Sequence, residues 1–285
     1  MANKYKPGDV LVFQTSGGFL GKAISYLTDS DVSHSALVYD ENHLIQMVGS
    51  GIEKKEIGDY AGRTVHQLRH KTETDMTKVI EAANLYLEKN IPYDYPSLVL
   101  LGGLLIYHKN SYTPEYKAIV DTILGVVCWS LDKLLNRILL GEDNQAMMCS
   151  QLVYQCFYDA GGGYRIKIKD GVVWHGARKD GGIRLIDLLE KEKELPIFHI
   201  PDYDAKYIDE ERLAHRLYEA LTDKAQTGKY LTNSELTDTL SKARKFLDLL
   251  EKILEALGSH MPLPSLFVTP ADLCYHAENL ETLAD

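Results

Sequence analysis

The sequence predicts an α+β fold, an antiparallel sheet packed on helices, with helical insertions interrupting the body. Short β-branched and aromatic runs bounded by turn residues cluster between residues 9 and 68. Apolar residues at the 3.6-residue helical spacing follow at 76–87 and 149–160. Hydrophobic residues make up 45% and charged residues 25%, the composition of a packed globular chain rather than a disordered one.

The first strand is predicted at Val10–Phe13, entered from the turn Pro7-Gly8-Asp9. Ser16-Gly17-Gly18 opens a helix in which Phe19, Leu20, Ala23, Ile24 and Leu27 share a face. His34–Tyr39 and His43–Val48 flank Asp40-Glu41-Asn42 and predict a hairpin, with Asn42 in the left-handed conformation of a three-residue turn. That register pairs Ala36 with Gln46. A further strand is expected over Thr64–Leu68 and a helix over Met76–Leu87, broken by Ile91-Pro92-Tyr93-Asp94-Tyr95-Pro96. Residues 98–140 carry two or three apolar helical segments. Cys149 starts a helix with Leu152, Val153, Cys156, Phe157 and Ala160 on one face, ended by Gly161-Gly162-Gly163. Strands are expected at Val172–Trp174, Ile197–Ile200 and, before a turn, Leu266–Leu273. Residues 208–257 are helical and highly charged, with heptad-like apolar spacing from Phe246 to Leu257. The predicted division is a body over 1–202 with a helical insertion at 108–145, a helical elaboration at 203–262, and a segment over 263–285 that returns to the body.

The 285 residues suffice for one large domain or two ordinary ones. A net charge of −10, from 41 acidic and 31 basic residues, disfavours a nucleic-acid partner. Four cysteines are too few for a disulfide scaffold. The N-terminus lacks the apolar stretch of a secretory signal. The longest apolar run, Leu98–Tyr107, is interrupted by glycines and falls short of the ~20 residues of a spanning helix. A cytoplasmic location is therefore expected, with signal-independent export and peripheral membrane contact left open.

Among the cysteines, only Cys149 opens a helix, where the helix N-terminus and a neighbouring imidazole lower a thiol pKa from its usual ~8.5. Cys156 falls on the apolar face of the same helix, Cys128 in an apolar run and Cys274 after a turn. Burial raises thiol pKa, so these three are expected to be inert. A base for such a thiol is a histidine on a rigid element, oriented through its second nitrogen. His34 starts a strand, and Gln46 is its diagonal neighbour in the hairpin, within reach of a long side chain. A Gln oxygen can accept from the ring N–H and fix the tautomer without supplying charge. His66 and His70 lie on a strand and do not converge on a metal. Asp9 and Asp94 are accounted for by turn chemistry, and Asp272 by a cap or turn.

Five segments occur in this order: Gly8–Phe13, Ser33–Val38, Ile91–Tyr95, Met148–Tyr154 and Val268–Leu273. Together they resemble the circularly permuted papain-like proteins of the NlpC superfamily, in the YaeF/YiiX-like branch, over about 1–110, 146–200 and 264–274. The permuted members carry His, a polar residue and Cys in that chain order, which here are His34, Gln46 and Cys149. The third position is often His, Asn or an acidic residue in that superfamily. Glu53 is the alternative orienting residue. Many peptidoglycan-cutting members have an Asp before the nucleophile, assigned to the substrate amine; Met148 stands here, so no stem-peptide substrate is implied.

The resemblance implies a permuted papain-like fold and a cysteine hydrolase. In it a Cys149 thiolate paired with a His34 imidazolium attacks a carbonyl carbon. The Cys149 backbone N–H would serve the oxyanion, and the candidates for a second donor or cleft residue are Tyr93, Asn144 and Gln145. No metal or organic cofactor is needed. The first expectation is an amidase or peptidase. The second is a lipid acyl hydrolase or acyltransferase with the same dyad, motivated by the apolar 98–140 region and a lipid-acting related branch. The third is a catalytically silent binding module. The substrate is accordingly a small peptide, an amide or a lipid acyl group.

Overall fold

The structure is a computed structural model that describes residues 5–16, 18–72, 75–93, 114–139, 147–172, 195–201, 236–257 and 268–283. In chain order, the elements are β1 (Val10–Gln14), α1 (Phe19–Thr28), β2 (Val32–Val38), β3 (His43–Val48) and β4 (Gly51–Glu56). A 3-10 turn (Ile57–Tyr60), β5 (Val65–His70), α2 (Thr77–Glu88), α3 (Pro114–Leu139) and α4 (Cys149–Ala160) follow. A second 3-10 turn (Gly162–Tyr164), α5 (Thr237–Leu257), a π-helical turn (Asp272–His276) and β6 (Leu280–Thr282) complete the order.

Among the described residues six strands form one sheet in the order β4-β3-β2-β1-β5-β6, with antiparallel pairing throughout. The fold is thus mixed α+β. Alternation along each strand divides its side chains between two faces. Val10, Val12, Leu37, Ile45, Met47 and Leu68 point to one face and are fully buried against Val79 and Ala83 of α2 and Leu152, Val153 and Phe157 of α4. Leu11, Phe13, Ala36, Val38 and Leu44 point to the other, under Tyr5, Ile57, Tyr60 and Val65.

The β2–β3 hairpin has the expected register, Ala36 opposite Gln46. Its turn is made differently. Asn42 is absent from the positive-φ residues. The Asp40 carboxylate instead accepts the N–H groups of Asn42 and His43, both at 2.9 Å, so a side-chain turn replaces the left-handed residue. The strand expected at Ile197–Ile200 is not formed. Val172 is not in a strand either, and Val173 and Trp174 lie outside the described residues. At the 268–276 segment a helical turn stands where a strand is expected, because Asp272 folds back to accept the N–H and hydroxyl of Thr269, each at 2.8 Å. Asp272 therefore caps, as expected, and also holds the Val172 N–H at 2.7 Å.

Asp9 does more than turn chemistry explains. It is 1% exposed and takes both Nε and Nη2 of Arg69 at 2.7 Å, with Gln67 Nε2 at 2.7 Å. This bidentate pair ties β1 to β5 beneath the opening turn. Asp94 lies outside the described residues.

The C-terminal segment returns to the body. β6 extends the sheet beyond β5, Ala277 bridges Ile168, and Ser150 Oγ donates to the Val268 carbonyl at 2.6 Å. α3 and α5, far apart in the chain, pack on each other. Val120, Leu124, Val127 and Leu131 of α3 and Leu240, Ala243, Phe246, Leu249 and Ile253 of α5 are buried. Among the described residues no helix is long and apolar enough to cross a membrane.

Candidate active site

α4 begins at Cys149 and ends at Gly161, whose φ of 74° is a conformation glycine adopts freely. Its start is fixed from three sides. Gln151 Oε1 accepts the Met148 N–H at 3.3 Å, Ser150 is tied to Val268, and the Met147 N–H donates to the Pro92 carbonyl at 3.2 Å. That last bond, with the Tyr93–Met147 bridge, lays the 91–93 segment alongside the approach to Cys149. The same segment is held on its other side by the Ile52 N–H, which donates to the Ile91 carbonyl at 3.0 Å. Gly51 permits this approach: its φ is 113°, and a Cβ there would meet the Ile91 oxygen at 3.0 Å.

His34 reaches the thiol from β2. The β1–β2 ladder is regular up to the Phe13–His34 pair and shifts register immediately beyond it, where Gln14 pairs with Val32. Ser33 is the extra residue, and such an irregularity re-aims the side chain beside it. The His34 ring packs against Phe13 with centroids 5.5 Å apart. Its Nε2 lies 2.7 Å from Gln46 Oε1, the diagonal contact that the hairpin register predicts. With Nε2 committed to Gln46, Nδ1 is the nitrogen left to face the Cys149 sulfur, and each group shifts the other's pKa.

Burial, with Cys149 only 6% exposed, pushes its thiol pKa up. The hydrogen bond and charge of His34, with the backbone N–H groups of Ser35 and Ser150, outweigh that, and the net direction is down. For His34, burial pulls the pKa down. The hydrogen bond and charge of Cys149 and the Gln46 contact outweigh it and raise the pKa, against the opposing charge of Arg63. Both directions favour a thiolate–imidazolium pair. The other cysteines go the opposite way: burial pushes Cys128 up to about 12, Cys274 up to about 11, and Cys156 well above the usual thiol range.

Glu53 contacts Gln46 rather than His34. Gln46 Nε2 donates to Glu53 Oε1 at 2.7 Å and also to the Tyr60 hydroxyl. Tyr60 is the member of this group that sequence reasoning missed. The Gln46–Glu53 contact was within reach of it, because Gly49-Ser50-Gly51 reads as a tight turn that sets residue 46 opposite 53. Asn144 and Gln145 lie outside the described residues. Among those described, no group of three His, Cys, Asp or Glu residues is placed to hold a metal ion.

No protein-family model matches this chain, and no curated protein matches its sequence.

Proposed function

We propose that the chain is a cysteine hydrolase with a permuted papain-like fold, acting on an amide or peptide bond through Cys149 and His34. The observation that carries this reading is the placement of Cys149 at the start of a helix beside His34, whose other ring nitrogen is held by Gln46 at 2.7 Å. A buried thiol has no structural need for a histidine partner, and that partner makes it a nucleophile at neutral pH.

In the proposed mechanism the Cys149 thiolate attacks the carbonyl carbon, and the Cys149 backbone N–H donates to the developing oxyanion. His34 passes its Nδ1 proton to the leaving amine, and the thioester forms. His34 then takes a proton from water as it attacks the thioester, and collapse of the adduct releases the acid and the Cys149 thiolate, which restores the thiolate–imidazolium pair. Tyr93, bridged to Met147 two residues before the nucleophile, is the described candidate for the cleft wall. Val120, Leu124, Val127 and Leu131 of α3, which would favour an acyl-chain groove if exposed, are buried in a helix that packs on α5.

Intact-mass measurement after incubation with mixed peptides and phospholipids tests the reading. A peptidyl adduct confined to Cys149 is expected. A fatty-acyl adduct would replace the amidase reading with a lipid acyl hydrolase or acyltransferase. No adduct, with Cys149 no more reactive than in the unfolded chain, would leave a binding module.

A further inference from the structure

An amide can face an imidazole in two ways. Its oxygen accepts from a ring N–H, or its nitrogen donates to a bare ring nitrogen, and the two choices leave opposite ring nitrogens protonated. What else the amide touches decides between them. The Glu53 carboxylate only accepts, so the atom facing it at 2.7 Å must be Gln46 Nε2. The Gln46 oxygen is then the atom 2.7 Å from His34 Nε2, and the ring must carry its proton there. Nδ1 is left as the nitrogen that exchanges a proton with Cys149.

We infer that Glu53 is a positioning residue: its carboxylate locks the Gln46 amide in one orientation and thereby sets the tautomer of His34, with Tyr60 as the second clamp. The inference rests on the Cys149–His34 reading above. The clamp is built into the sheet, because Glu53 sits directly opposite Gln46 in the β3–β4 ladder. Tyr60 arrives from the turn after β4 and packs its ring 5.0 Å from Phe13, which also supports His34. Gln46 is 1% exposed, so water does not compete for its amide. Glu53 also places a negative charge behind the amide, which makes the Gln46 oxygen a better partner for an imidazolium. The other charges bearing on this network are Cys149 and Arg63 at His34, and Lys55 and Arg63 at Tyr60.

Alkylation of Cys149 by iodoacetamide across pH, in the full chain, tests this without a known substrate. In Glu53→Gln the facing amide no longer dictates the orientation of Gln46. Alkylation at neutral pH is expected to fall about tenfold, and the pH at which Cys149 becomes reactive to rise by about one unit. Gln46→Glu alone sets two carboxylates against each other and is expected to slow alkylation as well. The exchanged pair, Gln46→Glu with Glu53→Gln, restores one acceptor at His34 and one donor behind it, and its midpoint is expected to return to the wild-type value or below. A merely structural role would not produce that rescue. Tyr60→Phe, which removes one clamp contact, is expected to shift the midpoint in the same direction by less. If Glu53→Gln does not fold, the exchanged pair and Tyr60→Phe carry the test. An unchanged midpoint in Glu53→Gln, or no rescue in the exchanged pair, would overturn the inference while leaving the dyad intact. A wild-type Cys149 no faster than in urea would overturn the dyad itself.

Discussion

The sheet with α2 and α4 and the α3–α5 pair bury apolar surface by different means. The body buries polar groups as well: Asp9 with Arg69, Gln46 with Glu53 and Tyr60, and Asp272 with Thr269. In the helix pair a seam of Val120, Leu124, Val127, Leu240, Phe246 and Leu249 is flanked by side chains such as Lys242, which bonds Asp238 at 2.5 Å. Buried polar groups hold orientation because leaving one unpaired is costly, whereas an apolar seam holds shape and tolerates small shifts. The candidate site lies where orientation is held.

That contrast can be broken at either end. Phe246→Ala should have the largest effect on stability, about 3–5 kcal/mol by cavity formation, read in urea or thermal unfolding. It should leave the pH dependence of Cys149 alkylation unchanged in the folded protein. Loss of that dependence would show that the helix pair shapes the site. Asp9→Asn should cost about 3 kcal/mol, because Arg69 loses its charged partner beneath the first turn. His34→Ala should slow Cys149 alkylation at pH 7 about a hundredfold, since a buried thiol without its imidazolium reverts to an ordinary or higher pKa. Lys55→Ala should change stability by less than about 1 kcal/mol, because both partners of its pair with Asp59 are solvated.

Much of this contrast was legible in the sequence. The β2–β3 register followed from the placement of its turn, and with it the His34–Gln46 diagonal. Cys149 stood out because helix periodicity placed it at a helix start and Cys156 on the apolar face. Other features depended on partners distant in the chain. Asp9 reads as a turn residue until Arg69 arrives on β5, and no local pattern announces that pair. Asp40 took over the turn that Asn42 was expected to make, since a side-chain acceptor and a left-handed residue close the same turn. Ile197–Ile200 has strand composition but pairs with no strand among the described residues. The joining of α3 to α5 is equally invisible, because amphipathic periodicity shows that a face is buried and not what buries it.

The most direct test of the central claim is the pH profile of Cys149 alkylation in the folded protein against the urea-unfolded chain. Cys149 has a lowered pKa and His34 a raised one. The folded protein should therefore react below the ordinary thiol range near ~8.5, where the unfolded chain is still largely protonated. The paired state should persist as pH rises until His34 loses its proton above its ordinary ~6.5. A folded profile that coincides with the unfolded one, or lies above it, would contradict the account.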